Sequence, residues 1–349
     1  MRLEPKDTKS LAASILYPVG AILATLIFSS ILVLMAGASP FSVFYLVAKG
    51  AAGSQFAFFE TLTRATPLIF TGLAVAVAFR AKLWNIGAEA QLYIGAVVTI
   101  LMGTGALPLP SYLLIPAIMA ASMLAGAVML LGPAFLKIRF GVDEVVTTLL
   151  LNFVILLFVS MLLEGPLKDP MGLGWPQSEA VDDAATLSRV VKGKRLHYGF
   201  VIAVGAAIFL WVIMKKTTLG FEMRAVGHNP NASGFAGISV NGVLMKTALL
   251  SGGIAALAGF SEVAGLKGSL SLDLSPGYGY TGIVVAMLAM LNPLGVILSA
   301  IFVSGIFVGA DAMSRTAGVP SYIADVMVAT ALLTMVTAIM LTRFRIRWR

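Results

Sequence analysis

The feature that most constrains the fold is a series of long apolar runs that recurs along the whole chain. An α-helix needs about 20 apolar residues to cross the ~30 Å hydrocarbon core of a bilayer. By that measure, the sequence contains ten candidate spans, at 13–36, 62–79, 84–103, 112–135, 145–163, 198–214, 246–266, 280–291, 294–311 and 322–341. We therefore predict an all-α, polytopic transmembrane bundle that forms a single domain over residues 1–349.

Composition supports this class and excludes several others. Hydrophobic residues make up 59% of the chain and charged residues 11%, whereas soluble domains have roughly a quarter charged residues. The chain has no cysteine and only two histidines, His197 and His228, so thiol chemistry and a metal site are not expected. It also lacks a Walker nucleotide-binding motif and a nucleophile elbow. We predict no catalytic residues, no metal and no cofactor, and a transport protein rather than an enzyme.

The distribution of Lys and Arg sets the predicted orientation. Short loops rich in these residues face the cytoplasm, and alternate crossings then place both termini inside. This assignment makes 165–197 an external loop and 215–245 the longest cytoplasmic segment. The basic C-terminal stretch, with Trp348, is predicted to anchor at the membrane surface. The net charge of +8 is thus attributed to topology, and no nucleic-acid partner is expected.

Two features predict how the helices are built. The run at 280–291 is too short for a full crossing, and Asn292-Pro293 follows it, so we expect a broken helix inside the bundle. Many spans are rich in Ala, Gly and Ser, which favours close helix packing.

Polar residues in the third run are the first candidates for a solute pathway or gate. Asn85, Glu89 and Tyr93 are spaced so that a helix would place them on one face. Ionisable residues within spans are usually functional. Alternatively, Glu89 lies close enough to the end of the run to reach the interface or to pair with Lys82.

The external segment before the short eighth run carries a second candidate group. Tyr278 and Tyr280 would offer aromatic platforms for a base or sugar ring at an entrance, although tyrosines are also common in interfacial turns. The remaining deep parts of the spans are nearly free of charge, which weakens the case for an ion-coupled carrier.

The cytoplasmic segment 215–245 contains more apolar residues than a solvated connector needs. These are Phe221, Met223, Val226, Phe235 and Ile238. They suit a short helix that docks into a groove on a partner, or one that lies on the membrane surface.

At this segment the sequence resembles the permease subunits of ATP-binding-cassette importers. Their cytoplasmic E-A-A-x-x-x-G loop is matched in spacing by Asn231, Ala232, Ser233 and Gly237, although Asn and Ser replace the Glu and the second Ala. The stretch R-A-V-G-H-N-P-N-A-S-G-F-A-G-I at 224–238 is similar to the branched-chain amino acid, simple sugar and nucleoside permeases. The stretches G-L-A-V-A-V-A-F-R at 72–80 and W-N-I-G-A-E-A-Q at 84–91 are closest to the nucleoside-permease pattern.

The resemblance implies a permease subunit that imports nucleosides across a bacterial cytoplasmic (inner) membrane, using ATP hydrolysed by a partner subunit. The residues it assigns to ATPase coupling are Glu222, Arg224, Gly227, Asn231, Ala232, Ser233 and Gly237. It further implies a second permease subunit, either a related chain or a second copy, and an extracytoplasmic solute-binding protein. The alternatives are a simple-sugar permease of the ribose or galactose type, or an ion-coupled secondary carrier.

Overall fold

The computed structural model describes residues 2–5, 11–105, 109–318, 320 and 322–347. Within these ranges the regular secondary structure is almost entirely helical. The α-helices are α1 (Leu11–Met35), α2 (Pro40–Ala52), α3 (Gln55–Arg80), α4 (Ala88–Gly103), α5 (Ser111–Phe140), α6 (Glu144–Glu164), α7 (Gly199–Lys216), α8 (Thr218–His228), α9 (Pro230–Phe235), α10 (Val240–Glu262), α11 (Tyr278–Leu288), α12 (Pro293–Ala317) and α13 (Ile323–Arg343). A short 3₁₀ helix covers Asp183–Ala185, and a π-helical turn, Val263–Lys267, directly extends α10. Two short strands, β1 (Arg2–Pro5) and β2 (Phe344–Arg347), form an antiparallel pair.

The predicted helical membrane class is confirmed, and a helix overlaps each of the ten predicted runs. Among the described residues, six helices are long and apolar enough to cross a membrane, or seven if one bent pair counts as a span. The helices α4 and α11 are apolar but shorter than a full crossing. The structure therefore supports a multi-pass membrane protein, while ten crossings with both termini inside stay a prediction.

The predicted break between the eighth and ninth runs is present. Helix α11 ends at Leu288, and α12 begins at Pro293. Between them, Met290 and Leu291 have φ angles of 52° and 59°, in the left-handed region that non-glycine residues rarely adopt. Because proline cannot donate the backbone hydrogen bond of a helix interior, Pro293 is accommodated as the first residue of the new helix.

Chain segments Met1–Thr61 and Phe302–Arg349 form one compact unit. In it, the helical pair Leu23–Met35 and Pro40–Ala52 bends by 111°. Helix α2 coincides with none of the ten predicted runs, because its 13 residues are too few for a span. Its Val43 and Val47 join an apolar cluster with Val33, Ala310, Met313, Ile323 and Met327. The bent pair is thus held by packing inside this unit.

Residues Leu62–Ile301 form the second compact unit, in which α10 packs against α4 and α5. The predicted close packing through small residues is confirmed here. A Cβ atom on Gly95 would overlap the carbonyl of Ala256, and one on Gly259 would overlap the carbonyl of Leu92. On the other side, Gly126 lies directly against the backbone of α10. These glycines let the three helix backbones touch where a side chain would separate them.

The loop 165–197, predicted to be external, folds back onto the helices of the second unit. The Asp182 N–H donates to the Gly103 carbonyl at 2.8 Å, and the Leu187 N–H donates to the Ala264 carbonyl at 2.7 Å. One tip of the loop carries exposed apolar side chains, with Leu173 97% and Trp175 71% exposed. At the other end of the chain, the predicted membrane anchor Trp348 lies outside the described residues.

Candidate functional site

The segment before α4 is not helical, which changes the predicted polar face. Helix α4 begins at Ala88, so Asn85 precedes it. The prediction that Asn85, Glu89 and Tyr93 share one helical face is therefore wrong for Asn85. Its amide exchanges two hydrogen bonds with the Gln91 amide, at 2.9 and 3.0 Å, and also donates to the Ser251 hydroxyl at 3.0 Å. In this position Asn85 ties the start of α4 to α10.

Three side chains of α6 hold this non-helical segment in place. Glu144, Thr148 and Asn152 are spaced by four residues and lie on one face of α6. Their oxygens accept the N–H groups of Trp84 at 3.2 Å, Ile86 at 3.2 Å and Ala90 at 2.9 Å. Backbone donors at membrane depth must be satisfied inside the protein, and this polar stripe satisfies them. Glu144 is also paired with Lys137.

Glu89 lies where the beginnings of α4 and α11 meet. Its side chain is 3% exposed and accepts the Gly279 N–H at 2.6 Å. The Ser275 hydroxyl also hydrogen-bonds to this carboxylate. The approach is close, because a Cβ atom on Gly279 would overlap the Glu89 backbone. The interpretation of Glu89 as an interfacial side chain, or as a partner of Lys82, is wrong, since Glu89 caps the N-terminus of α11.

The predicted tyrosines converge on the same place. The Tyr93 hydroxyl donates to the Leu272 carbonyl at 2.6 Å. The Tyr280 hydroxyl accepts from the Asn152 side-chain amide at 3.0 Å, and Tyr278 is 7% exposed. Glu89, Tyr93, Tyr278 and Tyr280 therefore surround the junction at which α4 and α11 begin, which we call the helix-start junction.

Glu262 and Arg64, which lie beside the helix-start junction, were not among the predicted site residues. Glu262, at the end of α10, is 1% exposed, and neither carboxylate oxygen has a hydrogen-bond partner among the described residues. Its charged neighbours are Lys267, Arg64 and Arg195, and the Arg64 side chain hydrogen-bonds to Tyr278. The prediction that the deep spans are nearly free of charge did not take account of Glu262, which is buried near the end of one run. The sequence could have indicated Glu262, because it is the sole charged residue between Lys246 and Lys267 in an otherwise apolar run.

The π-helical turn next to Glu262 encloses a histidine from the loop 165–197. His197 is fully buried, and its Nδ1 accepts the Gly199 N–H at 3.1 Å. A Cβ atom on Gly265 would overlap the imidazole ring. Burial lowers the pKa of His197 to about 4, so its imidazole is neutral at physiological pH.

The segment 215–245, predicted to be cytoplasmic, contains α8 and α9, and the predicted coupling residues divide into two groups. Gly227 is buried against the Arg80 carbonyl, and the Arg224 guanidinium donates to the Met214 carbonyl. These two residues attach α8 to the bundle, and Glu222 on the same helix is half-buried. Ser233 is also buried and donates its hydroxyl to the Asn229 carbonyl at 2.9 Å.

The second group lies on the outer surface of α9. Asn231 and Ala232 are exposed, and Phe235 is 94% exposed. Gly237 follows the helix with a φ angle of +82°, where a side chain would be strained. Asn229 caps the helix by accepting the Ala232 N–H at 3.1 Å. The arrangement presents an apolar side chain on a short, capped helix.

Comparison with known proteins agrees with this architecture. The family described as branched-chain amino acid transport system / permease component matches residues 57–341. The glucose ABC transporter permease TsgB13 of Haloferax volcanii is 35% identical over 99% of this chain and 93% of its own length. The guanosine ABC transporter permease NupP of Bacillus subtilis is 35% identical over 91% of this chain and 92% of its own length.

A third relative is the nucleoside ABC transporter permease NupB of Lactococcus lactis subsp. cremoris. It is 31% identical over 90% of this chain and 88% of its own length. Proteins of this kind are transport subunits and not themselves enzymes. The chain belongs to the family of branched-chain amino acid transport system permease components.

Proposed function

We propose that this permease subunit imports nucleosides. The observation that carries the proposal is the similarity, over about nine-tenths of the chain, to permeases named for guanosine and for nucleosides. The solute would cross the second compact unit, where the short helices α4 and α11 leave polar groups inside the bundle. Broken helices with polar termini at membrane depth are typical of transporter binding sites.

The helix-start junction supports a hydroxyl-bearing solute. Glu89 and Glu262 offer carboxylate acceptors for ribose hydroxyls, and Tyr278 and Tyr280 offer ring faces and hydroxyls for a base. Both carboxylates are nearly inaccessible in this conformation, so we propose that they are reached when the transport cycle opens the junction. Asn85 would act indirectly, by fixing the start of α4.

A sugar is the second candidate solute, because one relative of equal identity is named as a glucose permease. The two are distinguished by purifying the solute-binding protein encoded with this chain and titrating it with guanosine, ribose and glucose. Uptake of the tighter ligand is then measured in proteoliposomes that contain the whole transporter. Saturable, ATP-dependent guanosine uptake that glucose does not compete supports the nucleoside proposal. Glucose binding without guanosine binding contradicts it.

We propose that an ABC ATPase binds at α9. Its exposed Phe235, with Asn231 and Ala232 beside it, would enter a groove on the ATPase. Helix α8 would transmit the motion, because Gly227 and Arg224 attach it to the ends of α3 and α7. Uptake by this chain alone, under an ion gradient and without ATP, would contradict this arrangement. The same test distinguishes this arrangement from an ion-coupled carrier.

We further propose ten crossings with both termini in the cytoplasm of a bacterial inner membrane. The pairing of β1 with β2 supports an even number, since it places the two described ends of the chain side by side. The exposed tip with Leu173 and Trp175 would then face outward and contact the solute-binding protein. A second permease subunit, either a related chain or a second copy, would complete the pathway. Labelling of single cysteines introduced at Lys9 and Leu173 from either side of sealed vesicles tests the orientation.

A further inference from the structure

A cavity of about 490 Å³ opens where α3, α7, α8 and the α11–α12 break come together. Its size falls within the ~300–1,000 Å³ range of small-ligand sites. Three cationic side chains line it, namely Arg80, Lys215 and Arg224. None of the described residues that line the cavity carries a carboxylate. We call it the basic cavity.

The cations of the basic cavity are held by neutral groups. The Arg80 Nη2 donates to the Leu291 carbonyl at 3.1 Å, and the Arg80 Nε is buried without a hydrogen-bond partner among the described residues. Arg224 donates to the Met214 carbonyl, and Arg80 and Arg224 are close enough to repel each other. Like charges in a partly desolvated site are unfavourable unless an anion joins them.

The other walls of the basic cavity are apolar. The Trp211 ring lies 5.1 Å from the Lys215 ammonium, within the range of a cation–π contact. Met214, Met290 and Pro293 complete this side, and Met290 is 59% exposed. A free inorganic anion would make no favourable contact with these apolar walls, whereas a lipid places a phosphate beside an acyl chain that can pack against them. Basic pockets between membrane helices are known to suit anionic head groups.

We propose that the basic cavity binds the phosphate head group of an anionic phospholipid, with its acyl chain along Trp211 and Met290. In the proposed orientation this lipid belongs to the cytoplasmic leaflet. The site joins the end of α7 and Arg224 of α8 to the broken connection between α11 and α12. A bound lipid would therefore stabilise the attachment of the cytoplasmic helices to the bundle. The binding itself does not depend on which solute the permease carries.

The test uses the full chain reconstituted in phosphatidylcholine bilayers with a minor fraction of phosphatidylglycerol. Brominated acyl chains quench tryptophan fluorescence on contact, and Trp211 is a wall of the site. Brominated phosphatidylglycerol is expected to quench at least several-fold more than brominated phosphatidylcholine at the same fraction. In Trp211→Phe this excess should disappear. Equal quenching by the two lipids would overturn the proposal.

Charge variants then locate the contact. Lys215→Gln and Arg80→Gln should each lose most of the excess quenching, whereas Lys216→Gln should retain it. Lys216 is the matched control, because it is the next cation on α7 but does not line the cavity. If Arg80→Gln does not fold, Lys215→Gln still decides the question. An unchanged excess in Lys215→Gln would refute the assignment.

Two further arms separate the lipid from other anions. Millimolar inorganic phosphate should leave the excess quenching largely intact. If phosphate abolishes the excess quenching, the cavity is a site for a soluble anion instead. Adding the ATPase partner should also leave the excess intact. If the ATPase abolishes it, an acidic side chain of that protein is the occupant and the lipid proposal fails.

Discussion

Replacing Glu89 is expected to destabilise the fold as well as to impair transport. In Glu89→Ala, the Gly279 N–H loses its acceptor in a buried site, at a cost of about 1–3 kcal/mol. Removing a negative charge from the N-terminus of α11 costs a further ~1 kcal/mol. The Ser275 hydroxyl also loses a partner. Together these terms predict a loss of about 3 kcal/mol in the free energy of unfolding, which corresponds to several degrees in melting temperature.

The Glu89→Gln variant removes the negative charge but keeps the hydrogen-bond acceptor that caps α11. Glutamine keeps an acceptor oxygen for the Gly279 N–H, so the expected loss falls to about 1 kcal/mol. Melting temperatures are measured in detergent, and uptake is measured in proteoliposomes with the complete transporter. Glu164→Gln is the matched control, because Glu164 is an exposed carboxylate at the end of α6. It should behave as wild type in both assays.

The outcomes distinguish two roles of Glu89, namely capping of α11 and a role of its charge in the solute pathway. Slow uptake by a Glu89→Gln protein that melts near the wild-type temperature would support a role of the charge in the solute pathway. If Glu89→Ala melts as wild type, the capping role derived from its contacts is refuted. If both variants also transport at wild-type rates, the assignment of Glu89 to the pathway is wrong.

Three further substitutions test other parts of the structure. Gly237→Leu should uncouple ATP hydrolysis from uptake, because it strains a left-handed residue at φ +82° beside α9, and Gly205→Leu on α7 should not. Because the pKa of His197 falls from 6.5 to about 4 on folding, the unfolded chain binds a proton first as pH falls. About 3 kcal/mol of stability should thus be lost between pH 6.5 and 4, and a pH series of melting temperatures should lose this component in His197→Gln. Gly259→Ala should lower the melting temperature, since its Cβ would overlap the α4 backbone, whereas Gly132→Ala, in open space, should be neutral or stabilising.

Hydropathy predicted the helices because their length and apolar content are set by the bilayer. The break at Pro293 was also predictable, since proline restricts the backbone locally. Helix α2 was not predicted, because a 13-residue helix that bends back against α1 owes its stability to contacts distant in sequence. Ser39 and Pro40 at its start and Gly53 at its end are local helix signals, but a search for runs of about 20 apolar residues does not use them.

The sequence predicted some residues of the helix-start junction and not others. Glu89 and the tyrosines were found because polar residues in apolar runs are conspicuous. The helical spacing of Asn85 was misleading, since the chain before Ala88 is held by Glu144 and Thr148 rather than by its own helix. The four-residue spacing of the polar residues on α6 was visible in the sequence. The sequence did not indicate that these side chains hold the segment before α4.

The helix-start junction explains why so many polar residues lie inside an apolar bundle. Helices α4 and α11 both begin inside the second unit, and each helix start leaves N–H groups that lipid cannot satisfy. Asn152 and Glu89 satisfy these donors at Ala90 and Gly279. Glu262 differs, because its oxygens satisfy no donor in the described part of the chain. A buried carboxylate that satisfies no backbone donor does not hold a helix start, so we expect Glu262 to act in the solute pathway beside the cations Lys267, Arg64 and Arg195.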